Sequence, residues 1–101
     1  MHVLLPVVIA AANVPQQISA TSIKCNRVII QAQRGNAAAL YIGDSNVSSS
    51  SAEGFEMNIP QANVFLFPLI LESAGQNDID LSLLYIAGAK DDGVNVLYYQ
   101  L

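Results

Sequence analysis

Turn-forming residues punctuate this chain so regularly that its apolar segments are cut to strand length. Val, Ile, Thr and Tyr dominate short runs, broken by Gly, Pro, Asn or Asp at intervals of roughly eight to twelve residues. The runs are Val3 to Ala10, Gln17 to Ala20, Asn26 to Gln33, Ala37 to Ile42, Phe55 to Ile59, Asn63 to Leu71, Ile79 to Ala89 and Val94 to Leu101. The segment 63–73 has some helical spacing, but Pro68 breaks its register. The expectation is therefore an all-β chain: an antiparallel β-sandwich, jelly-roll-like, of about eight short strands, with residues 1–101 as one domain.

Two reversals are expected from turn chemistry. Arg34-Gly35-Asn36 reads as a hairpin loop before a returning strand, and Asp92-Gly93 as the turn of a terminal hairpin. Residues 74–78 read as a further turn. Pro68 marks its strand as an edge or a bulge. The Ser-rich loop Gly43 to Gly54 carries one apolar anchor, Val47, and is expected to order against a neighbouring chain.

The faces of the strands bear on function. Val28, Ile30 and Ala32 share one face of their run. Elsewhere both faces are apolar: Leu83, Tyr85 and Ala87 oppose Leu84 and Ile86, while Val96 and Tyr98 oppose Leu97, Tyr99 and Leu101. A sheet with one wet face alternates more cleanly. With 52% apolar and 12% charged residues in 101, a core alone does not use up the apolar surface, because a domain this small still exposes roughly a third of its unfolded area. The candidate subunit or lattice contacts are Val47, Leu84, Ile86, Leu97, Tyr99 and Leu101.

Charge and chemistry narrow the classes further. Net charge is −4, and the four cations, Lys24, Arg27, Arg34 and Lys90, form no cluster, so no nucleic-acid or anionic-membrane partner is expected. The scattered carboxylates read as solvated loop groups. Cys25 is the sole cysteine, which excludes an intrachain disulfide and reads as a small buried hydrophobe. Val3 to Ala12 resembles a signal-peptide core superficially; without a preceding Lys or Arg, and with Pro6 inside, it is expected to be the first strand.

No constellation suggests catalysis. Gly43-Asp44-Ser45-Asn46 after an apolar run resembles the nucleophile block of GDSL-type esterases, but the only His is His2 and no downstream Asp-x-x-His follows. The tetrapeptide reads as a turn, and the chain as a non-enzyme. Asp91-Asp92 and Asp78/Asp80 lack the dense spacing of a calcium loop, and no phosphate-binding glycine loop follows a strand. No cofactor or metal is expected. Tyr41, Tyr85, Tyr98 and Tyr99 leave a small-ligand or glycan platform as an alternative.

Three segments carry a family resemblance. Ile18 to Cys25 (with Thr21-Ser22-Ile23-Lys24-Cys25), Val28-Ile29-Ile30-Gln31-Ala32, and Leu40 to Ser48 (with Tyr41-Ile42-Gly43-Asp44-Ser45) resemble small virion proteins of tailed bacteriophages, as does the closing Leu97-Tyr98-Tyr99. The resemblance implies a capsid decoration or cement protein on the head surface, made in the host cytoplasm. Its partners would be itself, as a homo-oligomer that the resemblance implies to be a trimer, and the major capsid protein or another virion protein. A small tail, neck or fibre-base protein fits the same motifs. They are structural motifs and transfer no catalytic residue.

Overall fold

In the computed structural model, which describes residues 2–48, 53–57 and 68–101, the chain is built from strands paired by a simple rule. The strands are β1 (His2–Val8), β2 (Gln16–Gln17), β3 (Lys24–Cys25), β4 (Arg27–Ala32) and β5 (Leu40–Gly43), then β6 (Phe55–Met57), β7 (Leu69–Glu72), β8 (Ile79–Asp80), β9 (Tyr85–Ala87) and β10 (Gly93–Tyr99). All pairings are antiparallel. β1 pairs with β10, β2 with β9, β3 with β8, β4 with β7 and β5 with β6. The described strands thus pair as the two arms of one long ribbon, first with last and inward to β5 with β6.

The ribbon then rolls up. β10 also pairs with β4, and β9 with β5. Two four-stranded sheets result, β1-β10-β4-β7 and β2-β9-β5-β6, with β3-β8 as a short separate pair. Rolling is driven by the need of each apolar sheet face to bury itself against another layer. The first sheet contributes Val7, Val28, Ile30, Ala32, Val94, Val96 and Tyr98 to the core, and the second contributes Leu40, Ile42, Met57 and Ile86. Ile9, Ile18, Cys25 and Leu81 complete it. Each fully buried aliphatic side chain stabilises by roughly 1.5–3 kcal/mol.

Alternation gives the inward positions of β4 correctly, and among the described strands β7 lies at the edge of its sheet, one of the two positions, edge or bulge, that Pro68 suggests. Three local expectations are corrected. Arg34-Gly35-Asn36 joins β4 to β5, which lie in different sheets, and Asp92-Gly93 joins β9 to β10 across the same gap. Neither turn closes a hairpin. A reversal signal specifies that the chain turns, not which strand it pairs with afterwards.

The two crossing turns hold each other instead. Asp92, 4% exposed, accepts from the backbone N–H groups of Ala37 (2.8 Å) and Ala38 (3.1 Å). Asn36, 7% exposed, donates to the Gly93 carbonyl (3.0 Å) and accepts from the Gly93 N–H (2.8 Å). Glycine is required at 93 because a Cβ there would collide with the Val7 carbonyl oxygen. The third correction concerns Ile79 to Ala89, which is not one strand. A 3-10 turn at Leu81–Leu83 divides β8 from β9, capped by Asp80, which accepts from the Ser82 N–H (3.0 Å).

Candidate interaction surface

The strand registers place alternate residues of the first sheet in straight rows on its outer face. One row runs across all four strands: Leu4 on β1, Leu97 on β10, Ile29 on β4 and Ile70 on β7. At ordinary strand spacing it is roughly 14 Å long. Leu4 is 66% exposed and Ile70 46%, while Leu97 and Ile29 are half-buried between their neighbours. Pro6 and Val8 continue the apolar surface along β1.

A polar row borders this stripe: His2, Tyr99, Arg27 and Glu72. The Arg27 guanidinium lies 5.8 Å from the Tyr99 ring centroid, and the His2 ring centroid is 5.7 Å from it, the two rings tilted by 45°. Arg27 Nε is 3.3 Å from Glu72 Oε1, a distance for ion pairing, but Nε makes no directed hydrogen bond. With the two side chains 43% and 63% exposed, the pair contributes at most about 1 kcal/mol. On the other side, Asn95 and Gln31 face each other. An apolar centre within a polar border is the anatomy of a protein–protein contact.

Of the residues singled out from sequence, Leu97 and Tyr99 lie on this face. Leu101 is 73% exposed just past β10, where its N–H donates to Asn77 Oδ1 (3.0 Å). The other three are corrected. Ile86 on β9 is fully buried, and Leu84, between the 3-10 turn and β9, packs against the core. Two-sided apolar strands do not say which side is inward. Val47 is only 3% exposed and seats within its own chain, its Cβ 3.4 Å from where a Gly43 Cβ would stand. The anchor serves the loop itself: Val47 N–H donates to the Asp44 carbonyl (3.0 Å), and Ser48 pairs with Glu53. Residues 49–52 of that loop lie outside the described residues, as do 58–67, which include parts of two sequence-expected strands.

The remaining chemical candidates are dispersed. His2 belongs to the first sheet and Ser45 to the turn after β5 in the second. Asp80 accepts from Ser22 Oγ (2.7 Å) and Ser82, and Asp78 from Ser73 Oγ (3.2 Å). Among the described residues, His, Cys, Asp and Glu nowhere gather in threes suited to a metal. The tyrosines split three ways: Tyr98 points into the core, Tyr99 lies on the first sheet's outer face, and Tyr41 and Tyr85 are on the second sheet, where Tyr41 donates to Glu56 (2.9 Å). A hollow of about 420 Å³ between Gly43 and Phe55 is lined by Asp44, Asn46 and Glu53.

No known protein family, curated protein or solved structure matches the chain. Sequence reasoning passed over Leu4, Ile29 and Ile70, although the signal was present: apolar residues at positions where alternation calls for polar ones. It also passed over Asn36 and Asp92, which read as ordinary turn residues.

Proposed function

We propose that the chain is a structural subunit that attaches to a protein lattice through the outer face of the β1-β10-β4-β7 sheet, acting as a virion decoration protein. The observation that carries this reading is the apolar row Leu4–Leu97–Ile29–Ile70 within its polar border. The nested strand order, with its two facing sheets, is read as a jelly roll, an architecture of virion proteins. The phage-head assignment rests on the sequence resemblance and the site of attachment on the face. The dispersal of the tyrosines gives the glycan reading no comparable platform.

The test is cosedimentation of the purified protein with empty phage heads, for the wild type and for Ile29→Glu. The wild type is expected to pellet with heads, and the variant to remain in the supernatant while still melting cooperatively with the wild-type far-UV spectrum. Wild type that stays in solution overturns the head assignment. Equal binding by the variant overturns the assignment of the face.

A further inference from the structure

The outer edge of β1, the side away from β10, carries a chemistry separate from that of the face. Ile9 N–H donates to the Asp92 carbonyl (2.8 Å) and Asp91 N–H to the Ile9 carbonyl (2.9 Å). Backbone groups alternate in direction along an antiparallel strand, so odd-numbered residues of β1 serve β10 and even-numbered ones point away. His2, Leu4, Pro6 and Val8 therefore line the outer edge.

One end of that edge is closed. The Gln16 side chain donates from Nε2 to the Val8 carbonyl (2.9 Å) and accepts at Oε1 from the Ala10 N–H (2.9 Å). This single amide imitates a neighbouring strand and stops another from extending past Pro6. The stretch from His2 to Pro6 pairs with no other described residue on its outer side. It offers N–H donors on His2 and Leu4 and carbonyl acceptors on His2, Leu4 and Pro6. Its midpoint is Leu4.

We propose that a second copy of this chain pairs with this edge, β1 against β1 and antiparallel, about a two-fold axis at Leu4. The inference rests on reading the chain as an association subunit but concerns a different surface. In that register each Leu4 N–H meets the carbonyl of Leu4 in the second copy, and each His2 N–H meets the Pro6 carbonyl opposite. The pairing makes about four backbone bonds. Every available donor is used, and the donor that proline lacks is missing only at the ends.

The side chains agree with that axis. On the outer face Leu4 meets Leu4 of the second copy, so the two apolar rows join into one stripe across eight strands. On the inner side Val3 and Leu5, partly buried at the rim of the core, come opposite Leu5 and Val3 of the second copy and lose their remaining exposure. Gln16 and Pro6 restrict the edge to this one closed pairing and prevent open-ended addition of strands. The assembly closes at two copies, in place of the three that the resemblance implies.

Sedimentation equilibrium of the wild type, Leu4→Pro and Pro6→Val tests this. Leu4→Pro removes the central inter-chain donor and no bond to β10. Pro6→Val supplies the missing donor at both ends. The wild type is expected at twice 10.8 kDa at ~100 µM. Leu4→Pro should sediment at the monomer mass with the wild-type far-UV spectrum, and Pro6→Val should lower the dissociation constant by about ten-fold. A monomeric or trimeric wild type, or a dimeric Leu4→Pro, overturns the inference. Should Leu4→Pro fail to fold, an unchanged or raised dissociation constant for Pro6→Val overturns it. A monomer that still binds heads through Ile29 removes the edge pairing and leaves the proposed function intact. A dimer that binds no heads does the reverse.

Discussion

Asp80 and Asp92 stand twelve positions apart in similar turns, yet they act on the structure differently. The Asp80 carboxyl is held down to about 2, first by the Ser22 hydroxyl, then by the hydroxyl and N–H of Ser82, with Lys24 adding its charge. A carboxyl whose pKa is lower folded than unfolded contributes stability fully present above the unfolded value of about 3.9, and lost as pH falls through the folded value. Urea midpoints are therefore expected to drop between about pH 4 and 2, with a smaller drop in Asp80→Asn. Asp92 is a buried acceptor for two backbone N–H groups, so Asp92→Ala should cost about 1–3 kcal/mol in the same assay. Neither role was legible, because the sequence shows a carboxylate in a turn and not the backbone that comes to meet it. Cys25 was legible. It is fully buried, its Sγ donates to the Ile79 carbonyl (3.4 Å), and burial, then the Asp80 charge, pushes the thiol pKa up. Cys25→Ala should cost about 1 kcal/mol, and thiol reagents should label the native protein slowly compared with the unfolded chain.

At the scale of elements, what sequence conveys is where the chain runs straight and where it turns. The alternation of β4 and β10 is readable because β-branched residues recur every second position where one face is wholly interior. The partner of each strand is not readable, since pairing in a rolled ribbon joins residues such as His2 and Tyr99 from opposite ends of the sequence. The 3-10 turn was hidden for another reason: Leu81-Ser82-Leu83 fits strand alternation as well as it fits a turn, and only the Asp80 cap distinguishes them. Glycines test the loop geometry. Gly54 has φ +124, and a Cβ there would stand 2.7 Å from Val47 Cγ2 and 2.8 Å from the Ile42 carbonyl oxygen. Gly54→Ala should lower stability by about 1–3 kcal/mol, whereas Gly35→Ala, which meets nothing within 4 Å, should leave the melting temperature nearly unchanged.

For the whole molecule, two adjacent residues on β4 separate the interior from the face. Ile30 is fully buried between the sheets, opposite Val96 and Leu69. Ile29, its neighbour, lies in the outer row between Leu97 and Ile70. The all-β class was readable from run lengths, and so was the apolar character of a second face, through Leu97. Which apolar residues belong to which face depends on the register of four strands brought together from both ends of the chain, and that is fixed only on folding. The consequence can be measured with the two isoleucines. Ile30→Ala should destabilise by about 2–5 kcal/mol, the cost of a cavity between rigid sheets, and should affect association only by reducing the folded fraction. Ile29→Ala should cost under about 1 kcal/mol, because its side chain has solvent on one side, while weakening attachment to the lattice. Denaturant titration and head cosedimentation on the same pair read both quantities. Equal losses of attachment per folded molecule in the two variants would remove the outer face from the account and leave the row as surface that merely happens to be apolar.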